Sequence, residues 1–139
     1  MGGARVAFDL SIPSDVQYIE GVVELARQRC RELKFPAQKC SLNVPVALSE
    51  ALSNAILRGN LSQPHKHVRV RAIVDDDGLV FEVVDEGGGF DIATSMIDPT
   101  TLENIGKEEG RGLFLMEHLM DRVESFVNDG NVVRLTLRR

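Results

Sequence analysis

Ala47-Leu48-Ser49-Glu50-Ala51-Leu52-Ser53-Asn54-Ala55-Ile56-Leu57-Arg58 reads at helical spacing: Leu48, Ala51, Leu52, Ala55 and Ile56 form an apolar stripe. Glu50, Asn54 and Arg58 recur along the adjoining face, each one turn from the next. A carboxylate one turn from an amide can polarise a hydroxyl and hold a divalent cation, although a helix with a merely polar outer face has the same pattern. Two glycine clusters downstream give the pair company: Asp85-Glu86-Gly87-Gly88-Gly89-Phe90 and Gly110-Arg111-Gly112.

On either side of this helix the periodicity predicts the remaining elements. Val6, Phe8, Leu10 and Ile12 alternate with polar residues as a half-buried strand that Pro13 ends. Ser14 and Gln17 have the spacing of a capping box, after which Val16, Ile19, Val23, Ala26, Cys30 and Leu33 keep a helical stripe up to Phe35-Pro36. Pro45 is excluded from a helix interior, so the main helix is expected to start near Asn43 as its cap and to end at Gly59-Asn60. Val68, Val70, Ala72 and Val74 alternate as a second strand, Asp75-Asp76-Asp77-Gly78 turns the chain, and Leu79 to Asp85 form a third. The aspartate run lacks calcium-loop spacing and reads as a solvated turn. After an aperiodic lid at about 86–109, Leu113, Leu115, Met116, Leu119 and Met120 mark a largely buried helix beginning past Gly112. Val123 to Val127 and Val132 to Arg138 close the chain as a hairpin across Asn128-Asp129-Gly130. This order predicts an α+β fold, a two-layer sandwich with three helices on one face of a mixed, mostly antiparallel sheet, and 1–139 as a single domain.

The 139 residues suffice for a core without metals or disulfides. Sixteen lysines and arginines against 21 acidic residues leave a net charge of −5, which argues against nucleic acid or an anionic membrane as partner and for proteins or small molecules. No apolar run spans a bilayer and the start Met1-Gly2-Gly3-Ala4-Arg5 lacks a secretory segment, so a cytoplasmic location is expected, with Cys30 and Cys40 as free thiols.

The chemistry converges on a nucleotide between the main helix and the lid. Glycines beside a helix start, Gly110 and Gly112, offer backbone amides and the positive end of the helix dipole to phosphates. Gly87 and Gly89 let the chain pass closely under a planar base, and Asp85 can accept a hydrogen bond from an exocyclic amine, which selects adenine. The Asn54 amide oxygen suits magnesium, Glu50 is placed as general base, and Arg58 and Arg111 are candidates for neutralising phosphate charge.

Glu50-x-x-x-Asn54, Asp85-x-Gly87-x-Gly89-Phe90 and Gly110-x-Gly112 resemble, in order and rough spacing, the N box and the two glycine boxes of the GHKL ATPase superfamily. Glu50-Ala51-Leu52-Ser53-Asn54-Ala55 and Gly110-Arg111-Gly112-Leu113-Phe114-Leu115-Met116 most resemble the free-standing anti-sigma-factor serine kinases. The resemblance implies a Bergerat-type sandwich, ATP with Mg2+, and phosphorylation of a serine on a small anti-sigma-factor antagonist. It also implies a sigma factor or similar regulator as second partner, and a homodimer in many members. It gives Glu50 the role of base, Asn54 that of magnesium ligand, Asp85 that of adenine reader, Gly87 and Gly89 that of hinge, and Gly110 and Gly112 that of phosphate cradle. Arg58 stands where relatives often have histidine, Glu108 where some have a basic residue, and Asn131 where many have threonine. A non-catalytic, nucleotide-gated binding module of the same fold is the alternative; a detached histidine-kinase domain is disfavoured, because no phosphoacceptor helical hairpin fits upstream.

Overall fold

The computed structural model describes residues 3–87 and 108–139, with side chains from 112 onward in the second stretch. Five strands, β1 (Arg5–Pro13), β2 (His67–Val74), β3 (Gly78–Val84), β4 (Arg122–Val127) and β5 (Asn131–Arg138), make one sheet in the order β1-β2-β3-β5-β4. Every pairing in it is antiparallel, where the sequence predicts a mixed, mostly antiparallel sheet. Among the described residues three α-helices, α1 (Ile19–Glu32), α2 (Val44–Asn54) and α3 (Glu108–Leu119), make the other layer of the α+β sandwich, and α2 packs against both of the others.

The core lies between the layers. Val23, Ala26, Leu48, Leu52, Leu113 and Met116 from the helices meet Val70, Phe81, Val83 and Leu135 from the sheet, all buried. The opposite sheet face is polar. Arg69 donates to both oxygens of Asp9 (2.9 and 2.6 Å), and Arg134 donates from Nε and Nη2 to Glu82 (2.9 and 2.8 Å). The Arg69 hydrogen bonds hold the Asp9 carboxyl below the usual aspartate range.

Several local expectations are corrected. A register shift between Val6 and Phe8 turns Val6 out of the apolar stripe, leaving it 52% exposed. Ser14 is no cap: it is buried and donates to the Lys66 carbonyl (2.7 Å), while Asp15 accepts from the Gln17 amide (3.0 Å) at the start of a 3-10 turn, Val16–Tyr18. Asn43 does not cap α2 either. The helical run spans 37–59, with π turns at Lys39–Asn43 and Ala55–Gly59 flanking α2. In the first, the Val44 amide reaches back to the Lys39 carbonyl; this widening keeps the Pro45 ring off the carbonyl one turn earlier, so the helix passes the proline intact. Asn43 instead donates its side-chain amide to the Leu119 carbonyl (2.7 Å), binding the start of α2 to the end of α3.

Cys30 and Cys40 are joined as a disulfide, not left as thiols: the short return through Phe35-Pro36 brings their Cα atoms to 5.4 Å. At the β2–β3 turn, Asp75 Oδ1 accepts from the amides of Asp77 (2.8 Å) and Gly78 (3.0 Å). Among the described residues no group of acidic, cysteine and histidine side chains could hold a metal ion, and no helix is long and apolar enough to cross a membrane.

Asn60, fully buried just past the second π turn, fastens three segments together. Its Nδ2 donates to Ser14 Oγ (2.9 Å) and the His67 carbonyl (3.0 Å), and its Oδ1 accepts from the Glu86 amide (2.8 Å). Truncation strands these groups in the interior, so Asn60→Ala is expected to lower unfolding free energy by roughly 3 kcal/mol, measured by urea denaturation.

Candidate functional site

The end of β3, the start of β5 and the end of α2 meet at Asp85, only 2% exposed. Its Oδ1 accepts from the Gly87 amide (2.9 Å), the Asn131 amide (3.4 Å) and Asn131 Nδ2 (3.1 Å), while its own amide donates to the Asn131 carbonyl (3.0 Å). Burial pushes the Asp85 carboxyl above the usual aspartate range, and these N–H donors pull against that shift without cancelling it. With Oδ1 so engaged, Oδ2 is the oxygen lying against Gly59.

Three glycines make this approach feasible. A Cβ at Gly59 would overlap the Asp85 carboxylate, one at Gly87 would overlap the Gly59 carbonyl, and one at Gly130, where φ is +128°, would overlap the Asp85 carbonyl. Sequence reading took Gly59 only as a helix end and Gly130 only as a turn. Nothing local in the sequence signals their contacts with residues 26 and 45 positions away.

On α2, Glu50 is half-buried and its carboxylate lies against the backbone of Gly112, where a Cβ would collide with Oε2. Glu50 and the opening of α3 therefore lie directly against one another. The helix itself begins at Glu108 rather than after Gly112, so Gly110 and Gly112 lie inside its opening turns. The first amides of a helix have no partner within it, and here that of Gly110 is among them, a candidate donor to an anion. Arg58 falls in the π turn one turn beyond Asn54. Gly89 and most of the expected lid lie outside the described residues, as do the side chains of Glu108 and Arg111.

Asn54 is 8% exposed, and its Nδ2 is buried without a hydrogen-bond partner among the described residues. An unmatched amide of this kind is costly unless something else completes it, and rotation about χ2 can present its oxygen in place of its nitrogen. A single amide oxygen suits Mg2+, which takes few protein oxygens and retains water or phosphate for the rest.

Residues 12–137 match the family model described as the histidine kinase-like ATPase domain. The chain is 30% identical to the serine-protein kinase RsbW of Bacillus pumilus, covering 92% of this chain and 83% of that protein. It is 28% identical to the anti-sigma F factor of Clostridium beijerinckii over 70% of this chain and 68% of that one. Among solved structures, it aligns with the RsbU and RsbW domains of Rv1364c from Mycobacterium tuberculosis at a TM-score of 0.62 and 16% identity, over 95% of this chain. It spans about a third of that longer protein (32%), and the likeness there is one of fold. An antiparallel sheet packed under helices, a polar ridge on α2 against the start of α3, and a match across nearly the whole chain make this protein a member of the histidine kinase-like ATPase family, in the group of the RsbW serine-protein kinases and anti-sigma F factors.

Proposed function

We propose that this chain, acting as one domain over 1–139 in the cytoplasm, is an ATP-dependent protein serine kinase and anti-sigma factor. It phosphorylates a serine on a small antagonist protein and, in the other branch of the partner switch, sequesters a sigma factor. The observation that carries this reading is the Glu50 carboxylate set against the opening of α3, one turn from the unmatched amide of Asn54. The names of the relatives support it.

Each residue then has a task. Asp85 accepts the exocyclic amine of adenine, its orientation held by Asn131. Gly59 and Gly87 keep that floor free of side chains. Asn54 would hold Mg2+ through its amide oxygen; when bound, the ion neutralises phosphate charge. The Gly110 amide in the first turn of α3 and the guanidinium groups of Arg58 and Arg111 receive phosphate oxygens. Glu50 withdraws the proton from the attacking serine hydroxyl.

Incubation of the purified chain with γ-labelled ATP and its cognate antagonist tests the whole: label on an antagonist serine is expected. ATP binding without label transfer would leave a nucleotide-gated binding module instead. Glu50→Ala is expected to hold ATP about as tightly as the parent and to slow transfer by about 100-fold or more, read by calorimetry and single-turnover labelling. Loss of a charge-assisted hydrogen bond in Asp85→Asn should weaken ATP binding about 10- to 100-fold.

The raised Asp85 pKa fixes a pH dependence. Only the ionised carboxylate accepts without competition from its own proton, so ATP affinity is full above the raised pKa and declines as pH falls through it. That decline should begin at a higher pH than an ordinary aspartate would give. Affinities measured across mildly acidic pH should slope for the parent protein and stay flat for Asp85→Asn.

A further inference from the structure

The pairing of Cys30 with Cys40 lies outside the nucleotide pocket, and nothing in the proposed chemistry uses it. Both residues are fully buried in the core, one in the last turn of α1 and the other in the π turn that leads into α2. That π turn is connected to both walls of the pocket. It runs directly into the helix bearing Glu50 and Asn54, and its last residue, Asn43, holds the C-terminal end of α3, the helix whose opposite end faces Glu50. Lys39, in the same turn, donates to the Arg138 carbonyl at the end of β5 (2.6 Å).

We propose that Cys30 and Cys40 are a reversible dithiol/disulfide modification site for a hydroperoxide, and that its oxidised form organises the nucleotide pocket through the π turn. This coupling rests on the nucleotide reading above. In the oxidising direction one cysteine thiolate attacks the peroxide, the O–O bond breaks, and a sulfenic acid forms as an alcohol or water departs. The second thiolate then attacks that sulfur, forming the S–S bond with release of water, so two thiols lose two electrons and two protons to one peroxide. The buried setting favours this oxidant class: a hydroperoxide is small enough to enter when the exposed connection Pro36-Ala37-Gln38 opens, and a bulky disulfide is not.

In the reduced direction the turn has another resting arrangement. Cys40 Sγ lies 3.8 Å from the Phe35 carbonyl, so a thiol there gains an acceptor that the disulfide cannot use. A π turn freed from its cross-link can also tighten toward ordinary helix, which moves the residues that follow it. Oxidation removes that freedom before ATP arrives, so the oxidised protein binds ATP more tightly.

The experiment uses the full chain, reduced with dithiothreitol or oxidised with hydrogen peroxide. Alkylation after unfolding, read by mass, reports the thiols, and calorimetry reports ATP affinity with Mg2+. Expected are two alkyl groups on reduced protein and none after peroxide, restoration by dithiothreitol, and ATP affinity about fivefold or more weaker in the reduced form. Cys30→Ala and Cys40→Ser should each abolish the response to peroxide; a folded sample of either suffices, and the parent comparison stands without them. The inference is overturned if peroxide leaves both thiols alkylatable, if oxidised and reduced proteins bind ATP equally or in the reverse order, or if either variant still responds. Equal, measurable binding in both states overturns the inference and leaves the nucleotide reading standing. No binding in either state defeats the nucleotide reading, and the coupling with it.

Discussion

An almost fully buried carboxylate is the constraint around which this end of the sandwich is built. Removing Asp85 from water disfavours its charged form, and the fold answers with donors from two strands: the Gly87 amide beyond β3, and the backbone and side-chain amides of Asn131 at the start of β5. Such close placement of three backbones tolerates no side chain at Gly59 or Gly87 and a left-handed conformation at Gly130. The antiparallel order β3-β5 supplies the geometry, because it sets the end of one strand beside the beginning of the other. Asn131 suits this place, since its side-chain amide donates to the same carboxylate oxygen as its backbone amide.

The second wall depends on helix packing. α2 is buried on most sides, and its polar ridge emerges only where α3 begins. Asn43 to Leu119 ties the far ends of these two helices, and Asn60 ties the near end of α2 to the strands. Glu50 and Asn54 are thereby fixed by contacts at both ends of their helix rather than by neighbours alone, the arrangement that a site requiring sub-ångström placement needs.

Strand positions and helix faces were legible because periodicity records which side of an element is buried; Val70, Phe81, Leu135, Leu48 and Leu52 all fell inward as their spacing predicted. The bulge that exposes Val6 was not, because one extra residue in a ladder leaves no mark on composition. The α3 start was placed late: Gly110 and Gly112 disfavour helix locally, and tertiary context overrides that preference. Asn43 and Asn60 read as a cap and a helix end because Leu119 and Glu86, which they bind, are 76 and 26 residues distant. The motifs at Glu50, Asn54 and Asp85 were visible as patterns, whereas the support beneath them was not. The cysteines illustrate the same gap, since an expected reducing compartment argues for thiols while the chain's return through Phe35 sets them within bonding reach.

The π turn at Ala55–Gly59 closes with the Asn60 amide on the Ala55 carbonyl (2.8 Å), one residue more per loop than an ordinary helix. That surplus residue is an offset in angular phase. A strictly α-helical continuation would swing the following residues by about 100° around the axis. Gly59 would then rotate away from Asp85, and a side-chain-bearing neighbour would take its place. The floor of the cleft is thus encoded by a winding irregularity as much as by the identity of any residue, and lineages that shorten this segment by one position would have to rebuild the base-facing surface from different amino acids.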